Sequence, residues 1–253
     1  MPPDRPARGQ TARTAAQLSE MNRLLRAIPA KEYAAIAGLL EPLTLDTHAV
    51  LFEANQPIRS VYFFTTGVAS MVTTMRDGAT VEVSTIGNDG LVGVPLLLGV
   101  WSMPARCFVQ VAGDAKKIDA ASFAKAVVDH TGFRQLLLRY TQVLFNQVAQ
   151  SVACNRVHSV EQRCARWLLM TRERVHSDVL PLTHEFLGYM LGVRRESVSV
   201  AAEALQQSGL IEYRRGKITI RDHAGLKAAS CECYDVVRAS FEELFGSDEE
   251  ARR

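Results

Sequence analysis

The run Leu182-Thr-His-Glu-Phe-Leu-Gly-Tyr-Met-Leu-Gly-Val-Arg-Arg-Glu-Ser-Val-Ser199, continued by Leu205-Gln-Gln-Ser-Gly-Leu-Ile211, decides the fold. Thr183 to Leu191 carries apolar residues at helical spacing and stops at Gly192, and Arg195–Ser208 repeats the pattern and stops at Gly209. Two β-patterned arms, Leu210–Arg214 and Lys217–Arg221, then flank the turn Arg215-Gly216. Two short helices joined by a tight turn and followed by a hairpin have the layout of a winged helix-turn-helix. Gly192 tolerates the positive φ that the turn needs. Leu187, Met190, Leu191, Val193, Val198, Ala201, Ala202 and Leu205 give the scaffold an apolar inner face. Arg194, Arg195, Glu196, Ser197 and Ser199 gather at the start of the second helix. They offer a planar guanidinium for the guanine edge, a carboxylate for the cytosine amino group and hydroxyls for phosphates. The hairpin adds Arg214, Arg215 and Lys217 beside the backbone charge. A solvated helix face with ordinary charge pairs explains any one of these features, but not their coincidence.

Charge distribution agrees with this reading. The 253 residues hold 29 Lys+Arg and 27 Asp+Glu, so the total is nearly neutral. Residues 156–221, however, hold 11 basic against 7 acidic side chains, and the segment from Asp222 holds 4 against 8. The longest apolar run, Gly90 to Trp101, is interrupted by Pro95 and is too short for a bilayer. Residues 1–15 lack a signal-peptide core and read as a disordered leader. Five cysteines without regular spacing suit reduced thiols, so a cytoplasmic protein is expected.

Upstream, the periodicity changes twice. Ala16 to Leu40 is helical in pattern, with Pro29 as punctuation. Short β-patterned runs follow at Ala49–Glu53, Ser60–Thr65, Ala69–Met75 and Thr80–Ile86, with Asp77-Gly78 as a hairpin turn. Arg106–Val111 and Ala115–Ile118 form a further pair about Gly113-Asp114. Many short strands predict a sandwich or roll. From Gly132 to Asn155 no Gly or Pro interrupts the interior, and Phe133, Leu137, Tyr140, Leu144, Val148, Ser151 and Asn155 recur at steps of three and four. That near-heptad stripe either packs on its own domain or forms a homodimer seam, and the latter is the reading adopted, through Leu137, Tyr140, Leu144, Val148 and Ser151.

The residue 182–211 stretch resembles the DNA-binding domain of the Crp/Fnr family of bacterial transcription regulators. Upstream, Val50-Leu-Phe-Glu-Ala-Asn-Gln-Pro-Ile-Arg-Ser-Val-Tyr-Phe-Phe-Thr-Thr-Gly67 resembles that family's cyclic-nucleotide-binding roll, and Asp89-Gly-Leu-Val-Gly93 sits where its effector loop begins. The resemblance runs from about residue 20 to 225. It implies an α+β fold: an N-terminal antiparallel β-roll, a long dimerisation helix and a C-terminal winged helix-turn-helix. The domains are expected at 16–130 (effector roll), 131–157 (dimerisation helix) and 158–246 (DNA-binding unit with a closing helix), with 247–253 an acidic frayed tail. It also implies double-stranded DNA and RNA polymerase as partners, adds Thr183 and Val200 to the DNA-facing set, and places an effector pocket at Gly93, Val94 and Arg106.

Departures from the family pattern are informative. Members that bind cyclic AMP follow the loop glycine with Glu and later carry Arg-Ser/Thr-Ala. Here Gly93 precedes Val94-Pro95, and Arg106 is out of phase in Ser102-Met-Pro-Ala-Arg-Cys107. Cyclic AMP is therefore not the expected effector, which remains unnamed. Strand alternation puts Arg106 with Phe108 on one face and Cys107 with Val109 on the other, without saying which is inside. Val200 stands where the family often has Arg, and touches a thymine methyl or nothing. Arg194 stands for the usual capping Ser, and Phe186 for the acid of a capping box. With no Cys before Cys107, an N-terminal iron–sulfur centre of the oxygen-sensing kind is not expected.

No catalytic motif or cofactor is read from the sequence, and no metal site. Cys231 and Cys233 are two apart, which on a continuous Ala224–Phe245 helix points them about 200° from each other. Cys154 and Cys164 read as core thiols, and the His residues lack close ligand spacing. A cupin-like enzyme on the same kind of roll, or a module acting only through protein partners, are the alternatives to a regulator.

Overall fold

Residues 22–246 are described by the structure, a computed structural model. The leader 1–15, the first residues of the Ala16–Leu40 pattern and the tail 247–253 lie outside the described residues. The chain begins with α1 (Arg23–Ala27) and α2 (Ala30–Ile36), divided at Pro29. Asn22 caps α1, and its amide also donates to the carbonyls of Phe64 and Gly90, pinning the helix to the roll.

Seven strands make the roll: β1 (Glu41–Leu45), β2 (Val50–Phe52), β3 (Ser60–Phe64), β4 (Val68–Thr74), β5 (Thr80–Ile86), β6 (Arg106–Val111) and β7 (Gly113–Asp119). They form two antiparallel sheets, ordered β1-β7-β3 and β2-β6-β4-β5. The strand β1 was not anticipated, because Pro42 argues against pairing; it sits at a sheet edge, where a missing N–H is tolerated. The β4–β5 hairpin closes with a turn at Arg76-Asp77-Gly78: Gly78 N–H donates to the Met75 carbonyl and Gly78 takes φ +88°. Gly113 and Asp114 belong to β7 itself, so the preceding turn lies one residue earlier than the sequence suggested. Val61, Phe63, Phe64, Ile118 and Phe123 belong to the roll's buried core, which both faces of β3 help to build. A one-turn α3 (Val94–Leu97) follows Gly93.

After α4 (Ala120–Asp129) comes the long helix α5, Thr131–Val157, of 27 residues and about 40 Å at 1.5 Å per residue. Two residues of its predicted dimer stripe, Leu137 and Tyr140, are taken into the chain's own core at 0% and 1% exposure, and Leu144, Val148 and Ser151 are half-buried. Tyr140 reaches the Leu91 carbonyl and packs beside Phe241. The exposed apolar face lies one residue round the helix, where Leu138, Phe145 and Val152 recur every seven residues at 43%, 66% and 68% exposure.

The last third holds α6 (Val160–Val175), β8 (Val179–Leu180), α7 (His184–Leu191), α8 (Arg195–Gln207), β9 (Ile211–Arg214) and β10 (Lys217–Ile220), the strands ordered β8-β10-β9. Ser159 and Gln162 form a capping box at the start of α6. The closing segment is two helices, α9 (His223–Ala229) and α10 (Cys233–Phe245), broken at Ser230–Glu232. Although grouped with 158–246 from sequence, α10 returns to the roll and α5, where Val237, Phe241 and Leu244 join the effector-side core.

Candidate nucleic-acid interface

Thr183 accepts the Phe186 N–H and so caps α7. Gly192 ends the helix at φ 62°, ψ 39°, donating to the Gly188 and Tyr189 carbonyls. Gly188 is equally constrained, since a Cβ there would lie 2.9 Å from the Val193 carbonyl oxygen. The turn thus sets α8 across α7, with Val198, Ala202 and Leu205 buried against α6 and α7. Arg194 is the N-cap of α8 and makes no side-chain cap bond, as its identity implied.

The opposite side of α8 faces out. Arg194, Arg195, Glu196, Ser197 and Val200 are exposed, Val200 at 69%. Ser199 differs: half-buried, it donates to the Arg195 carbonyl and meets His184 Nδ1 at 3.0 Å, so its hydroxyl holds the two helices together. His184 in turn stacks on Tyr213 of β9 at 4.0 Å, tying α7 to the wing; burial and the Arg195 charge lower its pKa. The wing turn Arg215-Gly216 has φ +50° and +73°, the two positive values of a type I′ hairpin. It presents Arg214, Arg215 and Lys217 to solvent. Gly216 lies close to Thr183, so wing and α7 start form one surface. Among the described residues none of Arg194, Arg195, Arg214, Arg215 and Lys217 is held in an ion pair, which leaves five cations on that surface.

The other face of this unit rests on the roll. Val72 and Phe108, on the outside of the β2-β6-β4-β5 sheet, share a core with Met190, Leu187 and Trp167. Trp167 Nε1 donates to Glu82 of β5 at 2.9 Å, and Ser70 donates to the other carboxylate oxygen at 2.6 Å. Glu82 is partly buried as a residue, but its carboxylate is enclosed by these partners. Burial raises its pKa to about 7, against the opposing pull of the Ser70 and Trp167 hydrogen bonds and the Arg174 and Arg166 charges. Arg174, 4% exposed, forms a bidentate pair with Asp89 and also bonds Thr85 and Gln147.

Inside the roll is a cavity of about 390 Å³, lined among others by Phe52, Met71, Leu91, Val94, Cys107 and Leu144. Gly93 and Val94 line it as expected, Gly93 at φ +114° with Val61 too close for any Cβ. Arg106 does not line it. It shares the outer face with Phe108, pairs with Glu53 at 3.2 Å and lies 5.4 Å over the Phe108 ring. The inward face is that of Cys107 and Val109, so among the described residues no cation lines the cavity and Ser102 is the one hydroxyl that does.

A further cluster went unread in the sequence. The break at Ser230–Glu232 turns both Cys231 and Cys233 toward the end of α5, where Cys154 and His158 are one helical turn apart. The four ligand-type atoms all lie within 4.8 Å of one another. The two-residue spacing separates side chains by about 200° only on a continuous helix, and the chain is not helical from Ser230 to Glu232.

No described helix is long and apolar enough to cross a membrane. Compared with known proteins, residues 42–130 match the cyclic nucleotide-binding domain family and residues 162–229 the Crp-like helix-turn-helix domain family. No curated protein matches. Among solved structures, a Crp/Fnr-family transcriptional regulator from Eubacterium rectale is 17% identical with a TM-score of 0.64, over 81% of this chain and 96% of that one. FixK2 from Bradyrhizobium japonicum is 17% identical with a TM-score of 0.65, over 76% and 98%. CLP of Xanthomonas campestris, described as a c-di-GMP-responsive global regulator, is 14% identical with a TM-score of 0.60, over 77% and 100%.

Proposed function

The chain belongs to the Crp/Fnr family of transcription regulators, and we propose that it reads an inverted-repeat site in duplex DNA as a homodimer. The observation that carries this is the outward surface of α8 and the wing, where five cations without ion-pair partners flank exposed Glu196 and Ser197 on a buried apolar scaffold. In this reading the start of α8 enters the major groove, Arg195 and Glu196 address base edges, and Arg214, Arg215 and Lys217 follow the backbone. Ser199 serves the scaffold, not the DNA. Thr183, capping α7 beside the wing, is placed to meet a phosphate. Two copies would set their recognition helices about 34 Å apart, one turn of duplex. The heptad Leu138, Phe145 and Val152 supports α5 as the dimer helix, because three exposed large apolar groups in line are costly to leave in water. RNA polymerase is the further partner of such a regulator.

The roll's cavity supports an uncharged, mainly apolar effector in place of a cyclic nucleotide. A cyclic phosphate needs a cation or several donors to offset its lost hydration, and the lining supplies Val94 and Pro104 where these would stand. The function is tested by anisotropy titration of Arg195→Ala and Lys217→Ala against DNA selected with the native protein. Arg195→Ala should cost roughly 1–3 kcal/mol at the selected site and relax one base pair per half-site. Lys217→Ala should weaken all sequences alike and reduce the salt slope by about one. Full specificity in Arg195→Ala would remove α8 as the reading helix.

A further inference from the structure

We propose that Cys154, His158, Cys231 and Cys233 form a closed four-ligand site for a single zinc ion at the joint between the long helix and the DNA-binding unit. Cys154 lies in the last turn of α5 and His158, four residues on, is its C-cap, whose N–H still donates to the Cys154 carbonyl, so the two side chains stay about one helical turn apart. The Ser230–Glu232 break brings in the other two, Cys231 from the break itself and Cys233 from the first position of α10. Cys154 Sγ lies 3.5 Å from Cys231 Sγ, and Cys233 Sγ lies 3.6 Å from His158 Nδ1. A tetrahedral zinc, with Zn–S about 2.3 Å and Zn–N about 2.0 Å, sets its ligand atoms about 3.5–3.8 Å apart. The cluster therefore has the span of one ion, whereas a multi-iron cluster spreads its thiolates further.

The surroundings match those of a metal centre. His158 presents Nδ1 to the thiols while its other ring nitrogen, Nε2, pairs with Glu232 at 3.1 Å, the carboxylate–histidine arrangement that fixes tautomer and ring orientation in zinc sites. Gln150 donates to Cys233 Sγ at 3.1 Å. The three cysteines are 0–3% exposed and form a core cluster of their own, apart from both larger cores. Three thiolates and an imidazole on a dication carry one net negative charge. Arg163 and Arg166, both 6% exposed, act electrostatically on Cys154 and Cys231 and make no ion pair with a carboxylate among the described residues. Their Nε groups lack hydrogen-bond partners. A disulfide between Cys154 and Cys231 would account for neither His158, Cys233 nor these guanidinium groups. With all four positions supplied by protein, the ion would be structural, clamping the end of α5 to the segment that follows the wing.

The test is metal analysis of the full chain, purified untagged under reducing conditions, with cobalt(II) as a spectroscopic probe. One zinc per chain is expected. After zinc is chelated away, cobalt chloride alone should give the intense visible bands and thiolate charge transfer of a tetrahedral sulfur-rich site. Cys231→Ser with Cys233→Ser should abolish both, His158→Cys should retain them, and Cys164→Ser, outside the cluster, should leave them unchanged. Glu232→Gln should weaken zinc 10–100-fold. The proposal is overturned by a reduced wild-type chain that takes up neither metal, by a bound iron chromophore, by a Cys154–Cys231 disulfide in metal-free native protein, or by zinc that survives the double substitution.

Discussion

Glu82 couples the roll to the DNA-binding unit, and its substitution by Gln gives a signed, pH-dependent test of that contact. Its carboxylate is held between Ser70 and Trp167, where burial lifts its pKa from 4.5 to about 7. The folded chain then keeps this proton up to about pH 7, while the unfolded chain releases it near 4.5. Between those values the native state binds more protons, so the associated stability is full below pH 4.5 and is lost as pH rises through 7. Each unit is worth 1.36 kcal/mol, so roughly two units between pH 5 and 7 amount to about 2–3 kcal/mol. A neutral Gln still accepts from Trp167 but has no charge to desolvate. Urea unfolding of both proteins at fixed chain concentration should give curves that nearly coincide at pH 5. At pH 8 Glu82→Gln should be the more stable by about 2–3 kcal/mol. A difference that is the same at both pH values would mean that the carboxylate is solvated, and the description of the interface would fall with it.

Phe145→Asp should convert dimer to monomer in sedimentation velocity while leaving the far-ultraviolet spectrum native, whereas Tyr140→Asp should unfold the chain, since only the first residue is exposed; native, dimeric Phe145→Asp would move the interface elsewhere. Asp89→Asn strands the buried Arg174 guanidinium and should cost about 3–5 kcal/mol, read as a lowered Tm. Calorimetry with cyclic AMP should give no binding heat at millimolar ligand; micromolar binding lost in Arg106→Ala would show that this side chain leaves Glu53 and turns inward.

What was legible in the sequence was local. Gly192, Gly209 and the Arg215-Gly216 turn punctuate the DNA-binding unit, and its helices fall within a residue or two of their expected limits, because caps and periodicity lie in contiguous residues. The face of α5 was not legible. Leu137, Leu144 and Ser151 form one seven-residue series, and Leu138, Phe145 and Val152 form another a single residue away. Distant elements decide which is covered: the roll, which takes Leu144 into its cavity lining and Gln147 onto Ser84, and α10, arriving some ninety residues later. Arg106 was similar: alternation separates it from Cys107, but the inner face is chosen by sheet packing. The cysteine cluster was missed because neither Gly nor Pro marks the α9–α10 break, so an unbroken helix was assumed.

The course of the chain through this joint has a mechanical consequence. It departs from α5 at His158 and is back at Cys231, beside its point of departure, before α10 rejoins the roll and completes its core. The DNA-reading part is thus an excursion with adjacent ends, inserted into a body that is finished only by residues lying after it. Its two covalent connections share one point, so its orientation on the body is held by the packed face of Val72, Phe108, Trp167, Leu187 and Met190 and by the Arg174–Asp89 pair. A change at that joint therefore acts on both ends of the excursion at once, the end of α5 and the start of α10.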